Sequence, residues 1–164
     1  MSIAHVETHL PAAKQIKDLF VDLLDREVTL ATVSPLTPSA RSPRTVGVYV
    51  DDQYAVRAIV VCDLEFSARA GAALALVPSP TADHSIEARL LDQALAENLY
   101  EVLNVAASLF NVSGAAHVRL HQLHAAGAPI PAPLQSLMVA LGRREDVELG
   151  IAGYGSGRLS IVLC

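Results

Sequence analysis

The stretch His84–Val112, HSIEARLLDQALAENLYEVLNVAASLFNV, decides how the rest of the chain is read. Leu91, Leu95, Leu99, Val102, Ala106 and Leu109 follow one another at steps of four, four, three, four and three. At about 100° per residue these share one side of a helix, so the spacing predicts an apolar stripe. Gln93, Glu97, Glu101, Asn104, Ser108 and Asn111 keep the same steps two residues out of phase and fall on the opposite side. Asp83 or Ser85 can cap the start of one long helix, and Asn111 to Gly114 can end it. Glu101 and Asn104 then point the same way on neighbouring turns, away from the buried stripe.

The flanks fill in the fold. Ala12 to Arg26 carries Ile16, Leu19, Phe20, Leu23 and Leu24 on one side and reads as a second amphipathic helix, with Pro11 at its entry. Glu27 to Val33 reads as a strand. Ser34 to Thr45 holds Pro35, Pro38 and Pro43 among Ser, Thr and Arg and reads as a mobile loop. Val46 to Val50 and Tyr54 to Cys62 are β-branched runs around Asp51-Asp52-Gln53, a hairpin pattern. Leu64 to Leu76 is an Ala-rich helix stopped by Pro78-Ser79-Pro80. His117 to Leu123 reads as a strand, Leu134 to Leu141 as a short helix, and Glu145 to Ala152 with Arg158 to Leu163 as a closing hairpin. Helices interleaved with hairpins give an α+β class, with two long helices and a smaller one packed on an antiparallel sheet. Each half runs helix, strand, loop and strand pair, an echo in element order without matching residues.

Bulk properties narrow the function. The chain has 164 residues, one domain by default and long enough for a core. It is 52% hydrophobic, but its longest apolar streak, Ala70 to Pro78, is far too short to span a bilayer. Neither a membrane role nor a secretory leader is expected. The net charge of −5, with Lys and Arg scattered, argues against nucleic acid as a partner. Cys62 and Cys164 are isolated and form no disulfide framework, which suits the cytoplasm.

His117, His121 and His124 lie close in sequence, but no cysteine is near enough to complete a zinc site, and exposed strand histidines are expected. Gly153, Gly155 and Gly157 precede a strand and not a helix, so they belong to a hairpin turn and not to a phosphate loop. Cys62 beside Asp63 reads as a buried thiol. Spacing alone favours a solvated helix face for Glu101 and Asn104.

The run Glu97-Asn98-Leu99-Tyr100-Glu101-Val102-Leu103-Asn104 resembles the signature of the chemotaxis phosphatases CheC, CheX and FliY. That signature has an acidic residue or Ser, three residues, Glu, two residues and Asn, with a Pro some twenty residues later. The order of elements over roughly residues 46 to 163 is similar too. Three departures stand out. Glu97 replaces the favoured Asp or Ser. Gly127, not Pro, lies twenty-three residues after Asn104, with Pro129 and Pro131 nearby. Val105, Ala106, Ala107 and Ser108 follow the Asn in place of small glycines. The first helix offers Asp18, Asp22 and Asp25 but no Glu and no Asn, so at most one site per chain is expected, as in CheX.

The resemblance implies a substrate and a mechanism. The substrate would be a response-regulator receiver domain carrying an aspartyl phosphate, which brings its own Mg²⁺ and Lys, so this chain needs no cofactor of its own. Asn104 would orient the attacking water and Glu101 would pair with the partner's lysine, with Glu97 and Ser108 supporting or docking. Catalysis would then be positioning plus fixed polarity. The alternative is a non-enzymatic module of the same fold that binds a receiver or another protein. A small-ligand sensor with the Pro-rich loop as lid is a third reading without specific support. A homodimer is expected from sheet edges that carry few charges.

Overall fold

A computed structural model describes residues 6–35 and 42–164 of the chain. Hydrophobic alternation builds the sheet first. β2 (Arg44–Val50) is buried at every position because both of its faces are covered. Val46, Val48 and Val50 point to one side, where Ile59, Val61 and Val162 join them under Leu134. Tyr49 points to the other side, into the larger core formed with the helices. β2 pairs antiparallel with β3 (Val56–Asp63), the expected first hairpin. β5 (Arg144–Ile151) pairs antiparallel with β6 (Gly155–Leu163), the expected last one. β1 (Val28–Thr32) joins β5, and β4 (Arg119–His124) joins β2. The sheet order is β1-β5-β6-β3-β2-β4, antiparallel throughout.

α1 (Ala13–Leu24) buries Ile16, Phe20 and Leu24 against that core and ends at Asp25, whose φ is +50°. α2 (Leu64–Leu74) is built from small residues because it runs very close to its neighbours. A Cβ on Gly157 of β6 would lie 2.4 Å from the Phe66 backbone, and one on Gly71 would lie 2.6 Å from the Leu95 carbonyl oxygen. α5 (Ala132–Met138) covers the opposite sheet face through Leu134. Arg144 ties down the turn after α5: it forms a two-pronged pair with Asp146 and donates to the carbonyls of Met138 and Ala140.

Five local expectations need correction. The single helix over His84–Val112 is two helices, α3 (Ser79–Ala88) and α4 (Gln93–Ala106), the second followed by a 3₁₀ turn at Ala107–Leu109. The break lies at Arg89, whose φ is +56°. Ser85, expected as a cap, sits inside α3 and staples the break: its hydroxyl donates to Leu90 O (2.7 Å) and accepts from Asp92 N (2.9 Å). Asp92 is the cap of α4 and accepts from Ala94 N. Pro78-Ser79-Pro80 lies beyond the end of α2 and opens α3, with Pro80 in the first turn, where its missing N–H costs nothing. Arg44 and Thr45, expected in the Pro-rich loop, already belong to β2; residues 36–41 lie outside the described residues, and with them the mobility expected there. His124 is part-buried, with Nε2 enclosed and without a partner among the described residues, whereas His121 is exposed as expected.

Asp63 caps α2 by accepting from Phe66 N at 2.7 Å. Burial pushes its carboxyl from an ordinary 3.8 up to about 6, against hydrogen bonds from the Phe66 and Arg158 backbones. The folded pKa exceeds the unfolded one, so the folded chain holds the proton more tightly. The associated stability is fully present below the unfolded pKa and is lost as the pH rises through about 6. Wild type should therefore lose up to about 3 kcal/mol relative to Asp63→Asn between pH of about 4 and about 7. Asn keeps the cap but has no proton to titrate. Urea unfolding of both chains across that range checks it, and a pH-independent difference would contradict it.

Candidate functional site

α4 is fixed on its inner side before anything is asked of its outer side. Leu95, Leu99, Val102, Leu103 and Ala106 are buried, each Leu or Val side chain contributing about 1.5–3 kcal/mol. Gly47 of β2 lets the helix approach: a Cβ there would lie 3.1 Å from Leu103 Cδ1. Tyr49 donates its hydroxyl to Leu103 O at 2.6 Å, satisfying one of the last four carbonyls of the helix. Burial holds the Tyr49 phenol well above its ordinary range, so it stays a neutral donor. Gly71 of α2 holds α4 from the side.

The outer side is the expected one. Glu97, Glu101, Asn104 and Ser108 are all exposed. Glu97 accepts a long hydrogen bond from Gln93 Nε2 (3.4 Å). Glu101 and Asn104 make no side-chain hydrogen bond among the described residues. A carboxylate that only accepts therefore stands one turn from a carboxamide that both donates and accepts, on a scaffold locked by Tyr49 and Gly47. Neither residue is a nucleophile of the activated kind, so the pair can orient a water and engage a cation.

The sequence reading missed two neighbours of the pair. Tyr100 and Val105 are 39% and 40% exposed and border it with apolar surface. Tyr100 also lines an open groove between α4 and β4, together with Glu97, His121 and Leu123. Their positions off both stripes were the available signal. Gly127, which stands where the signature has Pro, packs against Leu90 at the α3–α4 break with φ of +97°. Proline cannot adopt that angle, so the departure follows from the local backbone. Asn111, expected at the helix exit, bridges to Val118 through two 2.9 Å hydrogen bonds and leads the chain into β4.

No protein-family model matches this chain, and no curated protein sequence does. Solved structures do match. FliM in the FliM–SpeE complex from H. pylori aligns with a TM-score of 0.58 and 11% identity, over 92% of this chain and 80% of that one. The FliM middle domain from H. pylori aligns with a TM-score of 0.51 and 12% identity, over 92% and 84%. CheX in the CheX–CheY–BeF3–Mg²⁺ complex from Borrelia burgdorferi aligns with a TM-score of 0.50 and 10% identity, over 94% and 99%. The fold is that of CheX and the FliM middle domain. Within this fold, Glu97, Glu101 and Asn104 lie on α4 and face outward. No helix among the described residues is long and apolar enough to cross a membrane.

Proposed function

We propose that this protein acts in the cytoplasm on a phosphorylated receiver domain, docking it on the outer face of α4 and hydrolysing its aspartyl phosphate. The observation that carries the reading is the exposed pair Glu101 and Asn104, without a side-chain partner among the described residues, on a helix whose inner face is buried. Asn104 accepts a hydrogen bond from a water and holds it in line with the phosphorus. The water oxygen bonds to phosphorus, the bond to the receiver's aspartate oxygen breaks, and the water's proton leaves with the phosphate or solvent. Glu101 takes the partner's lysine in a charge-assisted contact, and Glu97 and Ser108 complete the docking face. Mg²⁺ comes with the receiver and not with this chain; a complex of CheX with CheY, BeF3 and Mg²⁺ is among the similar structures.

A second reading is binding without hydrolysis. The exposed apolar Tyr100 and Val105 favour it, because they supply contact area that a water-positioning pair alone does not need. The FliM likeness favours it as well. Measuring the phosphoryl half-life of a cognate receiver with excess protein tests the proposal. Hydrolysis requires a shortened half-life; tight association with an unchanged half-life leaves only the binding module.

The proposal extends to a homodimer joined at a sheet edge. β1 is an edge strand that carries no charge over Val28–Thr32, and among the described residues no strand pairs with its outer side, where a second copy could add. Light scattering should then show twice the 17.3 kDa chain mass as concentration rises, and a single-chain mass throughout would contradict it.

A further inference from the structure

A cavity of about 470 Å³ lies where the β3–α2 corner meets the start of β2, the middle of β6 and the α3–α4 turn. Among the described residues, Arg44, Arg89 and Arg158 line it with Asp63 and Glu65, so three guanidiniums face two carboxylates, an excess of one positive charge. Arg44 is 7% exposed and already engaged. Arg89 and Arg158 have no side-chain hydrogen bond among the described residues and keep their full donor forks. Asp63 accepts from the backbone N–H groups of Phe66 and Arg158 and also attracts the Arg158 guanidinium, so an incoming anion would share that guanidinium with it.

We propose that this cavity binds a small molecule through an oxyanion, a phosphate or carboxylate group, clasped by Arg89 and Arg158. A guanidinium presents parallel N–H donors that match such a group two at a time. The backbone holds the two arginines in place. Arg158 Cα is set by its pairing with Glu148 in the β5–β6 ladder, and Arg89 Cα by its left-handed conformation at the end of α3. The buried Arg44 adds positive potential from the sheet side, where solvent screens it little. The volume exceeds that of a bare ion and suits a small organic body carrying the anion. Glu101 and Asn104 do not line this cavity, so the site is independent of the proposed hydrolysis.

Titrating the full chain with inorganic phosphate, and separately with acetate, tests this by amide NMR shifts at ionic strength held constant with chloride. Saturable shifts at the Asp63–Glu65 and Arg89 amides are expected. The tighter of the two anions identifies the group. Arg89→Gln and Arg158→Gln should each weaken binding at least about tenfold, and Arg158→Lys should recover part of it, keeping the charge without the fork. Arg89 is exposed, so its variant should fold as wild type, with thermal unfolding as the check. If neither anion saturates the shifts, or if both Gln variants bind like wild type, the site does not exist.

Discussion

Asn104→Ala should slow hydrolysis of a bound phosphorylated receiver by on the order of a hundredfold or more, returning it toward the receiver's own rate. The amide contributes only by placing the water, so receiver affinity should be nearly unchanged. Glu101→Ala should behave differently and lower affinity and rate together, because it removes a charge-assisted contact in both the ground and transition states. Both side chains are exposed and unpartnered, so neither variant should shift stability by more than about 0.5 kcal/mol. That separation matters: a loss of rate in Asn104→Ala cannot then be attributed to unfolding. Single-turnover phosphoryl decay, read beside a binding titration, checks both variants. Equal rates for Asn104→Ala and wild type would remove Asn104 from the chemistry.

Gly157→Ala should be the most damaging small substitution in the fold. The added Cβ would meet Phe66 Cα and N at 2.4 Å, a contact with backbone that no side-chain rotation can relieve. Relief requires α2 to lift from β6. That would disturb Phe66, which is fully buried and stacks edge-on with Phe20 at 5.4 Å. Overpacking typically costs about 1–3 kcal/mol, and a clash with a helix backbone belongs at or above the top of that range. Thermal or urea unfolding should show the loss. Gly114→Ala, where a Cβ meets nothing within 4 Å but φ is +83°, should cost only about 1 kcal/mol. Comparable stabilities for the two variants would contradict the packing described for α2.

The parts of this fold that were legible in the sequence are those written in short periods. The stripe from Leu95 to Ala106 has the helical period, and the hairpin runs around Asp51-Asp52-Gln53 and before Gly155 have β-branched content with turn residues between. The exposed pair Glu101 and Asn104 followed directly from the helical phase. The α3–α4 break did not, because Arg89, Leu90 and Leu91 contain no Gly or Pro and keep the apolar rhythm. The break is held by a local side-chain bond, the Ser85 hydroxyl to Leu90 O, and by a tertiary one, Leu91 N donating to Ala126 O. The supports of the site were hidden for the same reason, since Gly47, Tyr49 and Gly71 reach α4 from other elements. The arginine cavity was invisible because Arg44, Arg89 and Arg158 are brought together only by the sheet order and the break.

The outer face of α4 as the partner surface is the claim on which the functional account turns. The most direct test is an amide NMR or hydrogen-exchange footprint of this protein with a receiver domain activated by BeF3 and Mg²⁺. Perturbations centred on Glu97, Tyr100, Glu101, Asn104, Val105 and Ser108 are predicted. A footprint on the β1 edge or the α5 face, with α4 unchanged, would contradict it.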